Sequence, residues 1–141
     1  GFVGKPSKIN SKKINNILSK GFIPVIAPLG KDKSKKIYNI NADTAAGAIA
    51  GKMKASKLLL LTDVAGILDK NGKLIPSLSI KNANKILKEK FISGGMKPKI
   101  ETCINAISKG VKEATILDGR IPHSLILELF TEHGIGTQIH S

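Results

Sequence analysis

The sequence predicts an α/β domain with a mostly parallel sheet flanked by helices. Three observations carry that expectation. Short apolar runs alternate with longer stretches whose apolar residues recur at helical spacing, the order expected of strand–helix repeats. The run Lys57-Leu58-Leu59-Leu60-Leu61 holds four consecutive leucines, a pattern that implies burial on both faces, as in a parallel sheet. The 141 residues contain no repeat, linker or low-complexity stretch, and that length buries one sizeable core, so a single domain is expected over residues 1–141.

Ser11 to Lys20 places Ile14, Ile17 and Leu18 at helical spacing and stops at Gly21. Phe22 to Ala27 reads as a short apolar strand, with Pro24 limiting its pairing. Leu29 to Ile37 is polar and basic, a loop or hairpin. Asn39, Asn41 and Asp43 alternate with Ile40 and Ala42, so an extended backbone would aim all three polar groups one way. Asp43 or Thr44 then suits the N-cap of a helix running to Lys54, and the small side chains beyond let that helix pack closely on a neighbour. After the Lys57–Leu61 strand, Asn71-Gly72 favours a tight hairpin turn. Ser79 to Lys90 and Pro98 to Lys109 read as helices, and Ala114 to Leu117 as a buried strand. Pro122 to Thr131 is a helix starting with Pro. Its amphipathic pattern turns Leu125, Ile126, Leu129 and Phe130 inward. Ile135 to Ile139 is the last strand.

The formal net charge is +13, and clustered cations gain affinity for nucleic acid by releasing phosphate counterions. Here, however, the cations are 22 lysines and one arginine, Arg120. The lysines are scattered, with Lys31 to Lys36 the only dense cluster. Arginine reads guanine edges and aromatic rings stack on bases; both are nearly absent, so nucleic acid is not the expected partner. Neither a membrane span of some 18 apolar residues nor a signal-peptide pattern is present. The single cysteine, Cys103, forms no internal disulfide framework and fits a reducing cytoplasm. It lies on a helical stripe as a packed apolar residue.

In parallel α/β sheets, ligands sit outside the carboxyl ends of the strands. Thr62-Asp63-Val64-Ala65-Gly66 follows directly on the leucine strand and belongs on that rim. It supplies a hydroxyl, a carboxylate and a glycine that permits close backbone approach to a nucleotide. The second constellation is Ser93-Gly94-Gly95-Met96-Lys97-Pro98-Lys99. A helix start has free N–H groups and a positive dipole end, and Lys99 just inside it makes a phosphate site. The chain has no G-x-x-x-x-G-K-[ST] loop and no G-x-G-x-x-G followed by an acidic residue. No His/Cys cluster points to a dedicated metal.

Together these motifs carry a resemblance. Asn39 to Ala50 followed by Leu60 to Leu68, Gly1-Phe2-Val3-Gly4, Ile92 to Lys99, and Leu117-Asp118-Gly119-Arg120-Ile121-Pro122-His123 running to Gly134-Ile135-Gly136-Thr137 resemble the second half of the acetylglutamate kinases, within the amino acid kinase family. The resemblance implies an amino acid kinase-like (carbamate kinase-like) fold, present in part, with the amino-terminal half absent. It implies ATP with Mg2+ as co-substrate, N-acetyl-L-glutamate as acceptor, and a homo-oligomeric full-length enzyme in the cytoplasm. Carried over residue by residue, Asn39 contacts acetylglutamate, Asp43 orients the catalytic lysines, and Lys99 stabilises the transferring phosphoryl group. Thr62, Asp63, Val64, Ala65, Gly66, Ile67 and Leu68, with Phe91, Ile92, Ser93 and Met96, line the ATP site. The tail, with His123, Glu128, Glu132 and His133, resembles that of members inhibited by L-arginine. The alternatives are a related kinase, such as one for N-acetylaminoadipate, and a non-catalytic nucleotide- or amino-acid-sensing domain.

Overall fold

The computed structural model describes residues 1–132 and 134–141. In chain order its elements are β1 (Val3–Gly4), α1 (Ser11–Leu18), β2 (Leu29–Lys31), β3 (Ile37–Ile40), α2 (Ala42–Met53), β4 (Lys57–Thr62), β5 (Ser77–Ser79), α3 (Ile80–Ile86), α4 (Met96–Ser108), β6 (Glu113–Asp118), α5 (Ser124–Phe130) and β7 (Thr137–His140). They form two sheets, a small one ordered β1-β3-β2 and a larger one ordered β4-β6-β7-β5. In the larger sheet β4 pairs in parallel with β6 and β5 with β7, while β6 and β7 run antiparallel. The expected α/β class with a mostly parallel sheet is the one observed.

The core lies between the larger sheet and α2, α3 and α4. Leu60, Ile116 and Ile139 from the strands meet Ile100, Cys103, Ala106 and Ile107 from α4 and Ala83 from α3. Apolar side chains at i, i+3, i+6 and i+7 of α4 make that stripe, with Ile104 partly buried beside it. The turn at Asn71-Gly72 also forms as expected. Leu68 and Leu74 bridge antiparallel, Asp69 Oδ1 accepts from the Asn71 and Lys73 N–H groups at 2.8 and 2.9 Å, and Gly72 takes the positive φ of 78° that the turn requires. Leu29 to Ile37 forms the β2–β3 hairpin.

Several expectations change: the helix expected over Ser79 to Lys90 is only Ile80–Ile86, and the one expected to start at Pro122 starts at Ser124. Phe22 to Ala27 joins neither sheet: Pro24 and Pro28 remove two ladder donors, and no described strand lies alongside. β4 is fully buried on one face only, through Leu58 and Leu60; on the other Leu59 is half-buried and Leu61 exposed, and β4 is the edge of its sheet. The buried-on-both-faces strand is its inner neighbour β6. The N-cap of α2 is Asn41, not Asp43 or Thr44: Asn41 has extended angles and its side chain accepts from the Thr44 N–H at 3.0 Å. Finally, Leu125, Ile126, Leu129 and Phe130 do not pack inward but are all exposed. The seven-residue α5 buries only Ser124, and no described element covers its apolar side.

Candidate active site

The topology brings the starts of α2 and α4 to one end of the larger sheet. α2 feeds back into β4 and α4 into β6, so each helix runs antiparallel to the strand that follows it. The helix starts therefore lie at the end where β4 and β6 finish, with Thr62 opposite Asp118 in register. Because Asn41 supplies the cap, Asp43 in the first turn of α2 is free to reach across. Its Oδ2 accepts from Lys99 Nζ of α4 at 2.8 Å. Both side chains are mostly buried, at 20% and 16% exposed, so the pair is shielded from solvent more than a surface ion pair is.

α4 begins at Met96, two residues earlier than the sequence suggests, with Gly95 in front of it and no side-chain cap. Pro98 thus sits third in the helix, where its missing N–H is one of those that have no intrahelical partner anyway. Lys99 lies one turn in, and Ser93, Gly94 and Gly95 are exposed beside it. Beneath the pair Cys103 is fully buried. Burial, reinforced by the nearby Asp43 charge, pushes its thiol up to about 12, so it stays a protonated packing residue.

Along the rim, the Thr62 hydroxyl donates to Asp63 Oδ1 at 3.3 Å, and the Gly119 N–H donates to the Thr62 carbonyl at 2.8 Å. Arg120 grips Asp118 through Nε and Nη2 at 3.0 and 2.8 Å, a bidentate fork. These bonds, with one from the Arg120 backbone, hold the Asp118 carboxyl down at about 2. Asp118, in turn, raises the guanidinium, with a smaller contribution from Asp63, which ties the two strand ends together electrostatically.

The expected nucleotide residues divide by exposure. Thr62, Asp63, Val64, Ala65, Leu68, Phe91, Ser93 and Met96 are exposed or partly so; Gly66, Ile67 and Ile92 are buried. Ile67 is fully enclosed, so its side chain supports the rim from the core and does not line it. The close approach at Gly66 is taken up within the protein, since a Cβ there would lie 2.7 Å from Thr137 Oγ1 and 2.8 Å from Leu74 Cδ1. Asn39 is exposed in β3 and Asp43 is helical, so Asn39, Asn41 and Asp43 are not one alternating edge.

A residue not expected at the site is Thr137. Its hydroxyl accepts from the Ile67 N–H at 2.8 Å and donates to the Ile75 carbonyl at 2.6 Å, pinning the loop after β4. Only its place in the Gly134–Thr137 block singled it out. In the tail, Glu128 Oε2 accepts from the Ile135 and Gly136 N–H groups at 2.8 and 3.2 Å. His123 is exposed in the left-handed region, Glu132 is exposed, and His133 lies outside the described residues. Among the described residues no group of three or more His, Cys, Asp or Glu is placed to hold a metal ion. No helix there is long and apolar enough to cross a membrane.

The molecule is thus an α/β protein whose mostly parallel sheet carries a carboxylate–lysine pair and a Gly-Gly helix start at its strand ends. The profile of the Amino acid kinase family matches residues 1–118, and the chain belongs to that family. Over 141 residues it is 57% identical to the acetylglutamate kinase of Acidiphilium cryptum (strain JF-5), covering 100% of this chain and 47% of that enzyme. The N-acetylglutamate synthase from Neisseria gonorrhoeae, solved with coenzyme A and L-arginine, matches with a TM-score of 0.93 at 31% identity, over 99% of this chain and 32% of that one. Carbamate kinase from Giardia lamblia bound to AMP-PNP shares the fold, with a TM-score of 0.71 at 20% identity over 98% of this chain and 46% of that one. The chain spans about half the length of the curated relatives it matches.

Proposed function

We propose that this chain is the nucleotide-holding part of an acetylglutamate kinase, which transfers the γ-phosphoryl group of ATP to the side-chain carboxylate of N-acetyl-L-glutamate in arginine biosynthesis. The observation that carries the reading is the Lys99–Asp43 pair at 2.8 Å, set at the sheet end where β4 and β6 finish, in a chain 57% identical to such a kinase. A carboxylate acceptor needs no general base, so catalysis is mostly positioning and charge neutralisation. Lys99 neutralises charge on the moving phosphoryl group, and Asp43 holds the Lys99 ammonium in place. The start of α4 has no side-chain cap; the Met96 N–H is taken by the Ser93 carbonyl and Pro98 has none, which leaves the Gly95 and Lys97 N–H groups to meet phosphate. Val64, Leu68, Phe91 and Met96 offer apolar surface to the base, with Thr62, Asp63, Ala65 and Ser93 beside them, and Asn39 contacts the acceptor. Magnesium enters on the ATP phosphates. We place the enzyme in the cytoplasm and propose L-arginine as a feedback ligand of the intact protein, because the 31%-identical synthase was solved with it.

The test uses a hybrid enzyme in which residues 1–141 replace the matching segment of the Acidiphilium cryptum kinase. Lys99→Ala in the hybrid lowers kcat on the order of a hundredfold or more while the KM for N-acetylglutamate changes little, as expected for an electrostatic stabiliser felt mainly in the transition state. Near-normal turnover in the variant would remove Lys99 from the reaction.

A further inference from the structure

The distance between α2 and α4 is fixed by a glycine one turn from the catalytic pair. Gly47 follows Asp43 by four residues and Thr102 follows Lys99 by three, so each lies on the same helix face as its partner in the pair. A Cβ on Gly47 would lie 2.5 Å from Thr102 Cγ2 and 3.6 Å from the Thr102 carbonyl oxygen. Thr102 is β-branched and in mid-helix, where χ1 is confined to two rotamers, so Cγ2 has only one other place to go. The helices are therefore as close as a bare Cα allows. Their hold on the core is unequal. α4 buries Ile100, Cys103, Ala106 and Ile107, whereas α2 buries only Gly47, Ala50 and Gly51. A side chain at 47 accordingly lifts the start of α2, with Asp43, and leaves α4 on the sheet. The Lys99 ammonium then either follows Asp43 or loses it, and in both cases it shifts relative to the ends of β4 and β6.

Resting on the function proposed above, we infer that Gly47, through its contact with Thr102, is a positioning residue for phosphoryl transfer: it sets where the Asp43-held ammonium of Lys99 stands. In the hybrid enzyme Gly47→Ala lowers kcat about tenfold to a hundredfold, since misplacing a catalytic group by ~1 Å costs on the order of a hundredfold. The KM for ATP stays near that of the parent. Adding Thr102→Ser, which removes the clashing Cγ2 methyl, restores kcat, and Thr102→Ser alone turns over normally. A purely packing role would lower Tm and leave kcat per folded molecule unchanged; that result, or a kcat loss that Thr102→Ser does not restore, overturns the inference. Should the single variant fail to fold, the double variant still decides, because a folded Gly47→Ala/Thr102→Ser enzyme with depressed kcat contradicts the contact. Lys99→Ala measured alongside keeps the two readings apart. If it is active, the site assignment falls; if it is inactive while Gly47→Ala is normal, only the positioning role falls.

Discussion

In the larger sheet Ile116 and Ile139 are 0% exposed, whereas between α1 and β2 Ile23 is 89% and Val25 97% exposed. The residue types are the same; the partners differ. β6 has a strand on each side and helices packed on the sheet. Residues 22–27 have no described strand alongside and border an apolar hollow of about 580 Å³ lined by Ile14, Leu18, Pro24, Ile26, Ile49 and Met53, among others. Ile40 is the only buried residue in the first forty. Apolar composition creates a demand for burial, and only neighbouring structure meets it. Relatives about twice as long have further chain to cover such a run.

The largest effect expected from this contrast is at the centre of the sheet. Ile116→Ala leaves a hole among Leu60, Cys103 and Ile139, where close packing cannot collapse to fill it. Core Ile→Ala changes cost about 2–5 kcal/mol. Urea unfolding followed by circular dichroism measures it. A loss of no more than about 0.5 kcal/mol, the range of substitutions away from packed features, would mean that the sheet interior is as loosely held as the first forty residues.

The same contrast explains what could be read from the sequence. β4, β6 and the loop Thr62 to Leu68 were legible because a short apolar run followed by a Thr-Asp turn is local information. The α2 cap was not. Asn41, Asp43 and Thr44 are all good caps, and the choice rests on the extended angles of Asn41, φ −57° and ψ 132°. Asp43 and Lys99 are separated by 56 residues, and their motifs name them without showing that they touch; the packing of α2 on α4 does that. The Thr137 bond to Ile67 spans 70 residues and leaves no pattern in either segment. The exposed runs at 22–27 and in α5 defeat the rule that apolar periodicity means burial, since that rule presumes a covering element.

An intermediate effect is expected at the joined ends of β4 and β6, and it depends on pH. The Asp118 carboxyl is held at about 2 by Arg120, below the ordinary carboxylate value of 3.8. A group depressed in the folded state contributes stability above its unfolded value and loses it as pH falls through the folded one. The Asp118–Arg120 pair therefore stabilises the fold fully at neutral pH, and that contribution disappears as pH drops from about 4 toward 2. Asp118→Asn should be less stable at pH 7 and show a shallower decline into acid, measured by Tm across that range. An unchanged slope would assign the acid sensitivity to other carboxylates.

The smallest effect belongs to the exposed run, and it is the sharpest check on the contrast. Val25→Ser removes a β-branched apolar side chain, a change that is costly wherever the residue is packed. At 97% exposure there is almost no buried area to lose, so the 141-residue chain should change stability by no more than about 0.5 kcal/mol, as surface substitutions do. A loss above about 1 kcal/mol in this chain would show that residues 22–27 already pack against something. The same substitution in the hybrid enzyme, where the remaining sequence of the relative is present, reads how much of this surface that sequence covers. If the run becomes a paired strand there, Val25→Ser costs more in the hybrid than in the chain alone, because its side chain then leaves water on folding. Equal, negligible costs in both would mean that the exposed apolar run stays outside the sheet in the longer protein too.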